Sequence, residues 1–192
     1  MKKKRRIQKK AAMHDRAHDL YETPACATEA LLRHVRLPWS IWEPAAGRGA
    51  IARVLRAAGH NVVSSDLVAY PGADADIATS VDFLRVRMRP IGVAVEAIVT
   101  NPPYGDGLRD AFIRHGLRLG LPVVALLPLG TLAGDGRSDL IDDHLAEVLI
   151  GRERLPMMHR DGWQGPRASS AIAFAWFVWD RSHGGPPTLG WL

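Results

Sequence analysis

Asn101-Pro102-Pro103-Tyr104 follows the apolar run 95–100 and sets a side-chain amide, two rigid rings and an aromatic plane at the end of an expected strand. Prolines supply no backbone N–H and hold φ nearly fixed, so this segment cannot continue as a paired central strand and must leave the sheet. What it offers is acceptors, the Asn101 side-chain oxygen and free carbonyls, beside a ring. Such a corner suits a flat heterocycle with an exocyclic amino group, held by hydrogen bonds on the amine and by stacking on the ring. On these four residues alone, a Pro-rich turn with an Asn cap is the alternative. A second set lies upstream in Glu43-Pro44-Ala45-Ala46-Gly47-Arg48-Gly49. Gly47 and Gly49 let the backbone approach a ligand, and the helix expected behind them presents free N–H groups. A purely structural turn fits the two glycines as well. The turn lacks the third glycine of a dinucleotide fingerprint and the Lys-Ser/Thr pair of a P-loop. Its leading acid, Glu43, would repel a pyrophosphate and attract a cationic amine. Asp66, 17 residues after Gly49, can accept hydrogen bonds from both hydroxyls of a ribose, unless it is an ordinary solvated loop acid. A ligand with an amine, a carboxylate and a ribose, and no phosphate, fits this set best.

These groups need elements to position them. Thr23 and Pro24 open an expected helix through residue 32, with Pro suited to the first turn and apolar positions at helical spacing, stopping near Pro38. Residues 40–43 read as a strand, 50–58 as a helix ended by Gly59, and 61–65 as a second strand ending at Asp66. Residues 74–77 form a weaker third strand, followed by Asp82-Phe83-Leu84, and a fourth strand precedes Asn101. Further on, 108–119 reads as a helix, 122–127 as a buried strand, 138–145 as a short helix, 147–150 as a strand, and the apolar run 171–179 as a last strand. Strands alternating with helices imply a parallel sheet covered on both faces.

The chain has 192 residues, 47% of them apolar, enough for one well-cored domain and too few for two of full size. Its longest apolar runs fall short of the roughly 18 residues of a membrane helix. The basic start is not followed by an apolar stretch, so no secretion signal is expected and the cytoplasm is. Cys26 is the single cysteine, which excludes an intrachain disulfide or a thiolate metal cluster, and no metal is expected. Charge is uneven. Lys2, Lys3, Lys4, Arg5, Arg6, Lys9 and Lys10 give the first ten residues a side-chain charge of +7, whereas the other 18 arginines face 20 acids and leave −2. Residues 1–19 are therefore expected to be a basic, flexible tail ahead of one domain at 20–192. Such a tail either neutralises phosphates of a nucleic acid by counterion release or merely solubilises the chain.

Taken in order and spacing, these motifs resemble the class I S-adenosylmethionine-dependent methyltransferases, and within them the amino-methyltransferases of nucleic acid, most of all small phage- or prophage-type DNA adenine N6-methyltransferases. The resemblance covers residues from about 20 to 180 and rests on Tyr21-Glu22-Thr23-Pro24, the 42–49 turn, Asp66, Asp82-Phe83-Leu84, Asn101-Pro102-Pro103-Tyr104 and the closing Trp176-Phe177-Val178-Trp179. It implies a Rossmann-like α/β fold, a mostly parallel seven-stranded sheet with helices on both faces and an antiparallel C-terminal strand. The implied cofactor is S-adenosylmethionine. Tyr21, Thr23 and Pro24 would line its methionine end and Gly47 and Gly49, with Pro44 and Ala45 in the same turn, its backbone cradle. Glu43 would face its amine, Asp66 its ribose and Leu67 its adenine, while Asp82 and Phe83 would bind the adenine amino group and ring face. A helix or turn cap is the other reading of Asp82.

An exocyclic adenine amine is a poor nucleophile because its lone pair is delocalised into the ring. Asn101 Oδ1 and the Pro102 carbonyl would each accept one amine hydrogen and localise that lone pair toward the methyl group, with Pro103 shaping the corner and Tyr104 stacking on the base. A duplex substrate would need its adenine flipped out. Similar corners serve RNA adenine methyltransferases and enzymes that methylate protein glutamines. The glutamine enzymes generally carry an additional N-terminal helical domain, whereas fewer than 40 residues precede the first expected strand here, and the basic tail favours nucleic acid. DNA is the first expectation and RNA the second; a non-catalytic nucleic-acid-binding module is the reading of another class. Target recognition must be brief or borrowed. The stretch 156–167, with Arg160, Trp163 and Arg167 able to contact phosphates and stack on bases, would read a short site together with the segment near Asp135, unless it is an ordinary surface loop. Otherwise a second subunit, as in a homodimer, assists, or the enzyme is promiscuous.

Overall fold

The computed structural model describes residues 20–90, 94–105, 107–133, 136–153, 155 and 172–192. Helix α1 is Ala25–His34, α2 Ala50–Ala57, α3 Leu108–Arg118 and the short α4 Ser138–Ile141. The strands are β1 Ser40–Glu43, β2 Asn61–Ser64, β3 Ala97–Thr100, β4 Val123–Pro128, β5 Leu145–Ile150, β6 Phe174–Trp179 and β7 Thr188–Trp191. They form one seven-stranded sheet in the order β2-β1-β3-β4-β6-β5-β7. Only β6 is antiparallel to its neighbours, pairing with β4 on one side and β5 on the other.

Side-chain alternation along the buried strands divides the core in two. Val123, Ala125 and Leu127 of β4, with Phe177 and Trp179 of β6, join Ile113 and Leu117 of α3 on one face. Val124 and Leu126, with Trp176, join Leu31 of α1 and Ile51 and Leu55 of α2 on the other. Burying each such side chain stabilises the fold by roughly 1.5–3 kcal/mol. The buried indoles keep their N–H groups satisfied: Trp42 donates to Ser65 Oγ at 3.0 Å, Trp176 to the Ala27 carbonyl at 2.9 Å and Trp179 to the Leu140 carbonyl at 2.7 Å.

The third strand expected at 74–77 does not form. Only an isolated bridge between Ser65 and Ala78 extends the sheet beyond β2. Asp74 and Asp76 instead bind Arg53 and Arg56 of α2 at 2.8 and 2.6 Å, which holds the segment against the helix end in turns. The seventh strand is β7, which the sequence reading did not anticipate, lying parallel to β5 at the opposite edge. Helices α3 and α4 end earlier than their expected spans, at Arg118 and Ile141. Among the described residues, no helix is long and apolar enough to cross a membrane. The lysine-rich start and the stretch 156–167 with Arg160, Trp163 and Arg167 lie outside the described residues, as do Gly134 and Asp135.

Candidate active site

Strand β1 pairs in parallel with β2 on one side and β3 on the other, so the order in which strands are laid down across the sheet reverses at β1. Open α/β sheets bind ligands at the carboxyl ends of strands at such a switch point. A cavity of about 490 Å³ lies there. Of the residues expected at a cofactor, Tyr21, Thr23, Glu43, Pro44, Ala45, Gly47, Asp66, Leu67, Asp82 and Phe83 line it, and Asn101 and Pro103 line the same cavity. Pro24 does not; it caps α1, extended at φ −63° and ψ 140°. Gly49 is also set back from it.

The two glycines do different work. Gly47, at φ +57°, donates its N–H to Asp66 Oδ2 at 2.8 Å, and a Cβ there would meet Leu20 Cδ1 at 2.8 Å. Gly49, at φ +90°, caps α2, and a Cβ on it would lie 2.3 Å from Asp74 Oδ2. Its lack of a side chain admits Asp74, which Arg53 holds at 2.8 Å, rather than a ligand. Asp66 is fixed from three sides: its other oxygen accepts from Val68 N–H at 2.8 Å, its own N–H donates to the Ala78 carbonyl at 2.9 Å, and its carbonyl accepts from Val81 N–H at 3.0 Å. The loop from Ala78 to Val81 turns at Ser80, the one non-glycine residue with positive φ, +61°, among those described. Left-handed backbone at a non-glycine residue carries a cost that clusters at ligand sites.

Glu43 ends β1 and is 1% exposed. Its Oε2 has no hydrogen-bond partner among the described residues. Burial pushes the Glu43 carboxyl well above the ordinary range, against the lowering effects of the Ala52 N–H and the Arg56 guanidinium, while Asp66 adds to the rise. A buried carboxyl with an unused oxygen, on a residue that lines a cavity, is a receptor for a cation. Asp82 adopts its capping role, accepting from Leu84 N–H at 3.1 Å while Arg85 Nε lies 3.1 Å from Oδ2. Phe83 beside it is buried against Trp42 in an edge-to-face contact at 5.1 Å. Leu67 is 59% exposed at the rim.

At the other end, Asn101 is half-buried and its amide is oriented on both sides. Nδ2 donates to the Tyr21 carbonyl at 2.8 Å, which can only accept, so Oδ1 is the acceptor end. The Tyr104 hydroxyl donates to that Oδ1 and lies 3.2 Å from the Leu126 carbonyl. Tyr104 is thus turned toward protein, between Tyr21 at 5.9 Å and Phe174 at 6.0 Å, rather than standing in the cavity as a stacking plane. Pro102 is buried, with Pro103 at the cavity wall. Beside this corner, Arg109 and Arg137 bind the two oxygens of Asp110 at 2.7 and 2.9 Å and tie the segment after β4 to α3. Burial alone would raise the Asp110 carboxyl, and the two guanidinium groups outweigh it and hold it below the usual range. The cavity wall also takes Tyr70, Val81 and Phe112, which sequence reasoning missed: Phe112 shared only the apolar spacing of its helix, and the other two sit in segments without periodicity. No cluster of His, Cys, Asp and Glu among the described residues is arranged to hold a metal ion.

The order of strands, the lone antiparallel β6 and the cavity at the switch point define a Rossmann-like fold of the class I methyltransferase type. The sequence matches no family model and no curated protein. Solved structures match over most of the chain. A candidate RNA methyltransferase from Pyrococcus horikoshii has a TM-score of 0.61 at 12% identity, over 85% of this chain and 87% of that one. A predicted O-methyltransferase from Agrobacterium tumefaciens has a TM-score of 0.52 at 15% identity, over 88% and 84%. A modification subunit of a candidate type I restriction enzyme from Vibrio vulnificus has a TM-score of 0.52 at 19% identity; it covers 92% of this chain, which spans only 47% of that subunit. At such identities the likeness is one of fold.

Proposed function

We propose that this chain is an S-adenosylmethionine-dependent methyltransferase that methylates the exocyclic amino group of adenine in DNA. The observation that carries the reading is one cavity with the unused Glu43 oxygen and the oriented Asn101 amide both in its wall. Its volume suits a ligand of nucleoside and amino-acid size. The residues present fit the cofactor: the buried Glu43 carboxyl is an acceptor for its amine, and the Asp66 carboxylate in the wall of the same cavity is an acceptor for its ribose. When bound, S-adenosylmethionine supplies an electrophilic methyl group on sulfonium. Glu43 would hold its amine and Asp66 its ribose hydroxyls, Leu67 and Phe83 would pack on its adenine, and Asp82 would accept from the adenine amino group. Asn101 Oδ1 and the Pro102 carbonyl accept hydrogen bonds from the two N–H groups of the substrate amine and aim its lone pair; the proton made surplus by methylation leaves to water, and alignment supplies much of the remaining acceleration. Asn101 Oδ1 becomes available when the Tyr104 hydroxyl yields it, and the freed ring is then placed to stack on the base.

The similar folds include both a restriction-enzyme modification subunit and a candidate RNA methyltransferase. The choice of DNA therefore rests on the sequence, on the likeness of its motifs to DNA adenine enzymes. Incubation with labelled S-adenosylmethionine and unmethylated DNA, RNA or protein extract tests it. Label in N6-methyladenine of DNA is the expected outcome; label confined to RNA or to glutamine would move the substrate, and no incorporation would refute the activity.

A further inference from the structure

A second cavity, of about 520 Å³, opens along the far half of α3, lined by Leu84, Arg85, Val86, Arg87, His115 and Arg118. Leu84 lines the first cavity too, so the two adjoin. The Arg87 and Arg118 guanidinium groups are not spent on the helix end. Helix C-termini attract guanidinium groups to their last carbonyls, but other arginines serve those: Arg89 donates to the carbonyls of Leu119 and Gly120, at 3.3 and 2.9 Å, and Arg181 to that of Leu117 at 3.1 Å. Arg87 is exposed and makes no hydrogen bond or ion pair among the described residues. Arg118 is held by one contact, donating to His115 Nδ1 at 3.0 Å. His115 is buried, its Nε2 is 2.9 Å from the Val86 carbonyl, and its ring meets Phe83 edge-on at 4.8 Å. With Nε2 donating, Nδ1 must accept, so the imidazole is neutral and steers a charged guanidinium without repelling it. Burial holds the His115 ring below its ordinary pKa, which keeps that state. Asp82 is the acid at the groove and engages Arg85. Three guanidinium groups around one carboxylate and a neutral imidazole leave an anion-seeking groove.

We propose that this groove binds the phosphodiester backbone of the nucleic-acid substrate on one side of the target base, with Arg87 and Arg118 as its phosphate contacts. The proposal rests on the nucleic-acid reading above. A volume many times the roughly 30 Å³ share of one water suits a run of backbone rather than a lone ion. Geometry sets the reach: Leu108 of α3 lines the first cavity and Arg118 the second, and ten residues at 1.5 Å rise separate them by about 15 Å. That is roughly four steps of a strand at 3.4 Å each.

The test measures binding of the full chain and of its double variant Arg87→Gln, Arg118→Gln to labelled unmethylated DNA across a salt series. One duplex is long, and the other ends fewer than about four nucleotides from the adenine. On the long duplex the variant is expected to lose roughly 1.8 from the slope of log K against log salt, about 0.9 for each phosphate released. On the short duplex it should match the parent, and its affinity for S-adenosylmethionine should not change. An unchanged slope on the long duplex overturns the groove while parental binding keeps the nucleic-acid reading intact. Failure of the parent to bind DNA or RNA of either length overturns both. Displacement of the long duplex by inorganic phosphate at matched ionic strength would mark a free-phosphate site and overturn the polymer assignment.

Discussion

Glu43→Gln should weaken cofactor binding and strengthen the empty fold, two effects of opposite sign from one atom replacement. Glu43 is 1% exposed and its Oε2 lacks a partner among the described residues, so a bound amine would form a charge-assisted hydrogen bond to it. Such bonds contribute about 1.5–3 kcal/mol, and their loss predicts about a 10- to 150-fold weaker affinity for S-adenosylmethionine. In the empty protein the same group is a liability. Burial raises its pKa above the ordinary 4.5, so between the unfolded and folded values the native state holds a proton that the unfolded chain has lost. Stability therefore falls as pH rises through that window. Glutamine does not titrate, so the variant's melting temperature should pull ahead of the parent's from about pH 4.5 upward. Cofactor binding by the parent should release a proton as the amine draws Glu43 into its charged form. Calorimetric titrations in buffers of different ionisation enthalpy measure that release, and thermal melts across pH measure the other half. An unchanged affinity with no difference in proton release would refute the assignment of Glu43 to the amine.

Asn101→Ala should leave cofactor affinity intact and lower turnover by about 10²–10³-fold, the usual effect of removing one preorganised polar group from a reacting centre; near-normal turnover would sink the proposed mechanism. Tyr104→Phe keeps the ring and removes the hydroxyl that occupies Asn101 Oδ1, so KM for nucleic acid should fall by about 2- to 12-fold, one ordinary hydrogen bond of about 0.5–1.5 kcal/mol. A rise in KM would mean that the hydroxyl contacts substrate. Gly49→Ala should lower stability by about 1–3 kcal/mol in a thermal melt, because its Cβ would strike Asp74 at 2.3 Å; Gly59→Ala, at φ +96° with nothing within 4 Å, is the milder control. Deleting residues 1–10 should weaken nucleic-acid binding and flatten its salt dependence, and an equal slope would leave the basic start without a role in binding.

Periodicity made most of the sheet legible. The strands at 40–43 and before Asn101, and the helix after Gly49, follow from apolar spacing and punctuation by Gly and Pro, which act locally. Where a segment's state depends on distant partners, the sequence was silent or misleading. Residues 74–77 carry an apolar alternation, yet their two aspartates are captured by Arg53 and Arg56 some 20 residues away. Thr188–Trp191, short and preceded by Gly184, Gly185, Pro186 and Pro187, becomes a strand because β5 offers it an edge. At the site, residue types foretold which side chains would gather but not how each would be engaged. Gly49 reads as a ligand glycine, whereas the structure uses it to admit Asp74, and Tyr104 reads as a free stacking ring, whereas it is turned onto Asn101.

The Asn101 amide gives that last difference its meaning. Its Nδ2 is anchored to the carbonyl of Tyr21, a residue 80 positions earlier whose segment also walls the cofactor cavity, and its Oδ1 is capped by Tyr104. An unsatisfied amide oxygen half-buried at this corner would cost about 1–3 kcal/mol, so the phenol stabilises the corner while no amine is present. An arriving amine donates in its place, and the exchange of one donor for another keeps the net cost of opening small. The acceptor that the proposed chemistry requires is thereby held at full strength and in fixed orientation by a residue three positions along the same turn. The segment carrying Tyr21 links that orientation to the cavity on the other side. A corner that looked like a rigid platform in the sequence is, in the fold, a platform with its own removable cap.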